Sequence, residues 1–303
     1  SWGKYGEAEP LFRRAVQIWE RKLGPDDPHV ALALNGLAML YESQSRYGEA
    51  EPLERRAVQI WEQALGAEHP DMALPLESLA SLCVDLGKYG EAEELYQRAQ
   101  QIRERVLEPE HPDMALFFNG LAGLYAVQER DDEAEQLYLQ AWQIWERALG
   151  TGHIEVALPL SGLSTLYRKQ RSYVQAESLG ARALWIREQR LGTEHPAVAH
   201  SLQQMGLLYV EQGKYEQAEL ALQRALSIYE AKLGADLPHT AACLYGLGYL
   251  FAQLKDHEQA IGFYHRALHI FVRALGEAHP RTKQVIDKYN ESLQALGNAS
   301  IEA

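Results

Sequence analysis

The sequence predicts an all-α protein built from helical hairpins that repeat every 42 residues. Three observations support this: residue types recur in columns at that period, the recurring residues have helical spacing, and glycine and proline mark the unit ends. Such self-similarity is the signature of repeat architectures. Two columns hold one residue type at every step: Ala8, Ala50, Ala92, Ala134, Ala176, Ala218 and Ala260, and Ile18, Ile60, Ile102, Ile144, Ile186, Ile228 and Ile270.

The first helix of each unit is marked by apolar residues at helical spacing. In the first complete unit these are Leu34, Leu37, Ala38 and Tyr41. Residues three and four apart share one helix face, so this segment is an amphipathic helix.

The second helix follows from the columns. Ala50, Ala57 and Ile60 stand at i, i+7 and i+10, on one face of a helix with 3.6 residues per turn. Small alanine side chains on that face let the first helix approach closely. Each unit is therefore predicted to be a hairpin of two helices.

The links between units carry helix stop and start signals. Glycine after a helix and proline at its first position are favoured there. Two units depart from this glycine and proline pattern. Glu108 replaces the glycine in one and Ile154 replaces the proline in the other, and we expect looser or differently angled junctions there. The regular members are Gly24, Gly66, Gly150, Gly192, Gly234 and Gly276, and Pro28, Pro70, Pro112, Pro196, Pro238 and Pro280.

These marks predict a single repeat array over residues 1–303. A lone second helix at 3–23 would leave an apolar face open, because repeats bury their cores only against neighbours. We therefore expect the natural protein to continue upstream, and the open face to allow self-association. The predicted hairpins span about 28–65, 70–107, 112–149, 154–191, 196–233 and 238–275, followed by a closing helix at 280–296.

Composition excludes several classes of partner. The net charge of −13 and the pI near 5.3 disfavour nucleic acid and anionic membranes. The sequence shows no apolar run of about 20 residues and no signal peptide. Only Cys83 and Cys243 are present, 160 residues apart, which indicates no disulfide framework and favours a reducing, cytoplasmic location.

The motifs of both helices resemble the tetratricopeptide repeat. The link from Leu65 to Ala73, which reads LGAEHPDMA, and the segment from Lys88 to Glu93, which reads KYGEAE, are similar to the 42-residue cargo-binding repeats of kinesin light chains. The resemblance covers nearly the whole chain. It implies a right-handed α-solenoid whose first helices line a concave groove for an extended peptide or a partner helix, and such repeats also occur in bacterial signalling proteins.

The resemblance also implies which residues would line that groove. The candidates are the residues equivalent to Asn35 in each first helix, which form one level of the groove, and residues equivalent to Met39, which lie at a second level one helical turn further on. The basic cluster adds Arg168 and Lys169. The predicted peptide-binding residues are Asn35, Met39, Glu77, Asn119, Ser161, Thr165, Arg168, Lys169, Gln203, Tyr245 and Tyr249.

Two departures from the kinesin light chain pattern affect the expected ligand. The second of two asparagines in that pattern is replaced by glycine, as at Gly36 and Gly120. Those light chains receive acidic, tryptophan-bearing peptides, whereas basic residues here cluster only around Arg168. We therefore expect an extended ligand of neutral or mixed charge, held mainly through its backbone by Asn and Gln side chains.

The residues with catalytic or metal-binding chemistry fit structural roles. One histidine per unit precedes the helix-opening position, which makes these histidines link residues. His265 and His269 at i, i+4 lack the accompanying ligands of a metal motif. Tryptophans recurring in the second helices indicate hairpin packing, although Arg103 and Arg187 in the same column suggest partial exposure. No cofactor is expected. The link histidines are His69, His111, His153, His195 and His279.

These features bear on three classes of function. A protein- or peptide-binding scaffold is favoured, because a stack of hairpins offers extended surface and no nucleophile or cofactor cradle. The alternative is a regulatory or sensor segment of a larger multidomain signalling protein. The chain is not expected to be an enzyme.

Overall fold

The structure, a computed structural model, describes residues 5–44 and 46–302, with side chains for 8–44 and 46–297. Within these residues there are helices and no strands, so the predicted all-α class with helical hairpins is confirmed. None of the described helices is long and apolar enough to cross a membrane. The chain divides into two compact units, unit 1 over residues 1–148 and unit 2 over residues 149–303.

Unit 1 consists of seven helices among the described residues. First and second helices alternate, and a short 3₁₀ turn at Pro70–Met72 precedes the fourth helix. The helices are α1 (Tyr5–Leu23), α2 (Pro28–Ser43), α3 (Tyr47–Leu65), α4 (Ala73–Asp85), α5 (Tyr89–Val106), α6 (Pro112–Val127) and α7 (Asp131–Leu149).

Unit 2 repeats this alternation. A 3₁₀ turn at Ile154–Val156 precedes its first helix, as at Pro70–Met72 in unit 1. The replacement of proline by Ile154 therefore does not change the local structure. The helices are α8 (Ala157–Lys169), α9 (Tyr173–Leu191), α10 (Pro196–Glu211), α11 (Tyr215–Lys232), α12 (Pro238–Gln253), α13 (His257–Leu275) and α14 (Pro280–Glu302).

The alanine and isoleucine columns form the core of each hairpin. Ala50 and Ala57 have no exposed surface and Ile60 is 3% exposed, because α2 packs against this face of α3. The equivalent residues of the later hairpins are also buried. In α1 the same column holds Ile18, which is 39% exposed.

The links have the geometry that their residues favour. Gly66 adopts φ 93°, a left-handed conformation that a residue with a Cβ avoids. The link histidines cap the following helices: His69 Nδ1 accepts a hydrogen bond from Asp71 N at 3.2 Å, and His111 Nδ1 accepts one from Asp113 N at 3.1 Å. Capping residues usually carry oxygen acceptors, and the imidazole nitrogen takes that role here.

Ion pairs join successive second helices at one recurring position. Before each of these helices stands a cation that reaches back about one repeat to a glutamate. Each pair links two neighbouring hairpins and, being partly exposed, contributes about 0–1 kcal/mol. The pairs are Arg46–Glu9 at 2.9 Å, Lys88–Glu51 at 2.5 Å and Arg130–Glu93 at 2.8 Å in unit 1, and Lys214–Glu177 at 2.8 Å in unit 2.

Candidate functional site

A polar pocket of about 830 Å³ lies at the ends of the first helices of unit 2. The C-terminal turns of α8, α10 and α12 supply half of its lining residues, three more lie in the turns after α8 and α10, and single residues come from α9, α11 and α14. The pocket therefore spans successive hairpins, as a groove for an extended ligand would. Its lining residues are Arg168, Lys169, Arg171, Tyr173, Val210, Glu211, Gln212, Gly213, Tyr215, Tyr249, Gln253 and Gln284. We call it the Arg168 pocket.

Arg168 and Glu211 form an ion pair across the wall of this pocket. Arg168 Nη1 donates to Glu211 Oε1, and both side chains are only about one-fifth exposed. The Nε–H of Arg168 is buried and has no hydrogen-bond partner. Glu211 holds the guanidinium in place through Nη1, and Arg168 itself lines the pocket.

The pocket has a surplus of positive charge. Three cations, Arg168, Lys169 and Arg171, line it together with one carboxylate, Glu211, in a chain whose net charge is −13. Tyr249 also lines it; burial and then the charge of Glu211 raise the pKa of this phenol, so the hydroxyl stays a hydrogen-bond donor at neutral pH.

Four further residues predicted for the groove in unit 2 are engaged within the protein. Ser161 Oγ donates to the carbonyl of Ala157 at 2.9 Å, and Thr165 Oγ1 donates to the carbonyl of Ser161 at 3.1 Å. Gln203 is buried, and its Oε1 accepts from the adjacent Gln204. The fourth, Tyr245, is contacted by Gln284 Nε2, which donates to its hydroxyl at 3.1 Å. Thus Arg168, Lys169 and Tyr249 are the predicted residues that line the pocket.

In unit 1 the predicted groove residues differ in their accessibility. Met39 is exposed. Asn35 is half-buried, and its Nδ2 donates to both carboxylate oxygens of Glu54 at 2.9 and 3.0 Å, so its donors are already used. Asn119 is half-buried, and its Oδ1 is without a hydrogen-bond partner.

Glu77 does not lie on the open face expected for it. It is 6% exposed and forms a buried bidentate ion pair with Arg103, in which Nη2 donates to Oε2 at 2.9 Å. Arg103 is itself 6% exposed and Arg187 is buried as well, so the partial exposure suggested by these two arginines was wrong, although Trp61 in the same column is half-buried. Neighbouring hairpins have an asparagine and a tryptophan at the two equivalent positions, Asn35 and Trp61 in one and Asn119 and Trp145 in the other. In this hairpin the two opposite charges satisfy each other instead.

Several residues of the Arg168 pocket were not predicted. Tyr173 and Tyr215 open second helices, Gln253 ends a first helix, and Gln284 lies in the closing helix. Their positions in the 42-residue repeat are not those of the two predicted levels. The one available signal was the separation of 43 residues between Arg168 and Glu211, which places a cation and an anion on neighbouring first helices.

No cluster of three or more His, Cys, Asp or Glu side chains among the described residues is arranged to hold a metal ion. His265 and His269 are both exposed on α13 and line a smaller pocket with Asp236 and Arg266.

Comparison with known proteins identifies the repeat. The family model described as tetratricopeptide repeat matches residues 3–63, 55–105, 71–116, 113–189, 160–231 and 221–271. A search of curated protein sequences gave no match.

Three solved structures show the same fold. BtubC (BKLC) from P. vanneervenii is 21% identical with a TM-score of 0.52, covering 91% of this chain and 94% of its own. A Podosopora anserina protein of nearly identical TPR-like repeats, named as a kinesin light chain, is 24% identical with a TM-score of 0.50, covering 67% and 96%. A STAND protein with a tetratricopeptide repeat sensor from Pyrococcus horikoshii is 17% identical with a TM-score of 0.59, covering 94% and 43%.

These neighbours confirm the predicted resemblance to kinesin light chain-like repeats. The family model covers almost the whole chain, and the described helices pack as its hairpins do. The chain belongs to the tetratricopeptide repeat family.

Proposed function

We propose that this chain is a protein-binding scaffold that receives an extended peptide segment in the Arg168 pocket of unit 2. The observation that carries the proposal is the pocket itself, about 830 Å³ in volume and lined by the ends of successive first helices. Tetratricopeptide repeats generally mediate protein–protein interactions, and the kinesin light chain resemblance implies a groove on the same helices.

The lining suggests how the segment is held. The Arg168 guanidinium lines the pocket, so an acidic or carbonyl oxygen of the ligand can accept a charge-assisted hydrogen bond from it. Gln253 and Gln284 carry both donors and acceptors, which suits a peptide backbone. Since Glu211 opposes part of the positive charge, the fitting ligand has mixed charge rather than a polyacidic sequence.

A peptide array tests this proposal. Purified chain is applied to arrayed extended peptides of neutral, mixed and polyacidic composition, and hits are titrated in solution. We expect mixed-charge peptides to bind and Arg168→Gln to weaken them by about tenfold, the loss of one charge-assisted hydrogen bond. Arg224→Gln is the matched control, because Arg224 lies on the second helix α11 and pairs with Glu188. Binding of polyacidic peptides alone would refute the charge argument, and equal binding by Arg168→Gln would refute the site.

A regulatory sensor role is the second candidate. It rests on the fold shared with the STAND protein, whose tetratricopeptide repeat sensor is one part of a longer chain. In this case the pocket would receive a neighbouring segment or a small ligand. A nucleotide-binding or catalytic domain in the same natural reading frame would favour the sensor, and a specific partner recovered from host lysate with purified chain would favour the scaffold.

The cysteines support a cytoplasmic setting for either role. Cys83 and Cys243 are both buried with free thiols. Burial raises the pKa of Cys83 to about 11, which keeps its thiol protonated and unreactive. Fractionation of host cells with an antibody against the chain tests the location.

A further inference from the structure

A column of leucines on the first helices of unit 1 is exposed to solvent. Leu32, Leu74 and Leu116 occupy equivalent positions on α2, α4 and α6 and are 64%, 54% and 42% exposed. Leu32 shares a helix face with Asn35 and Met39, at i, i+3 and i+7, so the column runs along the face expected to bind ligand. We call these three residues the leucine stripe.

The leucine stripe does not belong to the hairpin cores. Each first helix already packs another face inside its hairpin, where Leu34 and Leu76 are almost fully buried. Single exposed apolar residues are common on protein surfaces, but aligned ones on adjacent elements mark interaction sites. The stripe is therefore apolar surface that the fold of unit 1 leaves available.

Acidic side chains stand at the N-terminal end of the stripe. Asp71 and Asp113 each precede a stripe leucine by three residues, and both are more than half exposed. Asp113 lies 3.9 Å from Arg103 Nη1, but that guanidinium also pairs with the Glu77 carboxylate. The charge at this end is therefore negative.

The other end of the same face is also acidic. Glu42 ends α2 and Asp85 ends α4, at the places where unit 2 has the Arg168–Glu211 ion pair. The Oε1 atom of Glu42 is buried without a hydrogen-bond partner. Burial, with the charges of Glu54 and Asp85, raises the pKa of Glu42 to about 8. Glu42 is therefore mostly uncharged at neutral pH, and a cation brought beside it would favour its ionised form.

From the leucine stripe and its acidic ends we infer that unit 1 docks an extended segment of a partner protein that carries an apolar side chain at every third position and Lys or Arg between them. The first helices α4 and α6 are in contact, and packed helices lie about 8–10 Å apart. A polyproline II segment has three residues per turn and advances about 3.1 Å per residue, so every third side chain faces the same way at a matching distance. The leucine stripe belongs to unit 1 and the Arg168 pocket to unit 2, and the two have opposite charge.

Synthetic peptides provide the test, titrated by fluorescence anisotropy against the full chain. One probe has leucine at every third position with lysine and serine between; its isomer has the same composition with the leucines clustered; a third replaces each lysine by glutamate. We expect the first probe to bind at least about tenfold more tightly than the other two, and added salt to weaken it.

Two variants locate the binding. Leu74→Ser should weaken the first probe by about tenfold, because one leucine no longer buries its surface. Leu220→Ser, at an exposed leucine of α11, should leave it unchanged. Circular dichroism confirms that each variant is folded. Undetectable binding of the first probe, equal binding of the isomer or the glutamate peptide, or no effect of Leu74→Ser would each overturn the inference, whatever happens at the Arg168 pocket.

Discussion

The buried ion pair between Glu77 and Arg103 gives the sharpest test of how unit 1 is held together. Replacing Glu77 by Asn leaves the Arg103 guanidinium buried without its carboxylate. Breaking a buried pair in this way costs about 3–5 kcal/mol, because one charge remains desolvated and uncompensated. Both side chains are 7% exposed, so water does not replace the lost partner.

The neighbouring hairpins supply the compensating change. They have asparagine and tryptophan at these two positions, as in Asn35 with Trp61 and Asn119 with Trp145. We therefore expect the double variant Glu77→Asn/Arg103→Trp to recover nearly all of the stability that Glu77→Asn loses. Replacing a buried ion pair by residues that pack well is often neutral or stabilising.

Urea unfolding followed by circular dichroism measures the free energy of unfolding of the wild type, Glu77→Asn, Arg103→Trp and the double variant. The control is Arg105→Gln on the same helix, which removes an exposed ion pair with Glu68 and should cost about 0–1 kcal/mol. A double variant whose loss of stability equals the sum of the losses in Glu77→Asn and Arg103→Trp would show that the two residues act independently and would refute the reasoning.

Three further predictions concern helix contacts, pH and capping. Gly248→Ala should destabilise unit 2 by about 1–3 kcal/mol in thermal unfolding, because the new Cβ would lie 2.7 Å from the buried ring of Tyr264. The control is Gly262→Ala, which has open space around it and should stabilise by about 0.5–1 kcal/mol. Destabilisation by both substitutions would contradict this prediction. Burial raises the pKa of Glu54 from 4.5 to about 7, so the stability this carboxyl contributes is complete below about pH 4.5 and is lost as pH rises through 7. As pH rises from about 4.5 to above 7, the free energy of unfolding of Glu54→Gln, measured by urea titration, should therefore increase by about 3 kcal/mol relative to that of the wild type. A difference in unfolding free energy that does not change with pH would count against this prediction. His111→Ala should cost about 0.5–1 kcal/mol through loss of the α6 cap, and no loss would show that the imidazole acceptor is dispensable.

Much of the fold could be predicted because the same pattern of residues recurs seven times in the sequence. The recurring alanines and isoleucines, such as Ala50 and Ile60, determine which faces of the helices meet, since small side chains at helical spacing allow only that close approach. Gly66 and the link histidines mark the helix ends. Few residue types adopt a positive φ, and few side chains can accept a hydrogen bond from the free N–H groups at a helix start. These requirements are local, so the sequence alone is sufficient to predict them.

The candidate sites needed the tertiary structure, because they depend on which side chains satisfy one another across hairpins. In sequence Glu77 looks like a groove residue, and only its contact with Arg103 shows that the pair is a buried substitute for asparagine and tryptophan. The exposed leucine at position 74 has the same residue type as the buried one at 76, and burial alone distinguishes an interaction surface from a core. Sequence determined the repeat and its helices, whereas packing decided which charges are neutralised and which remain open to a partner.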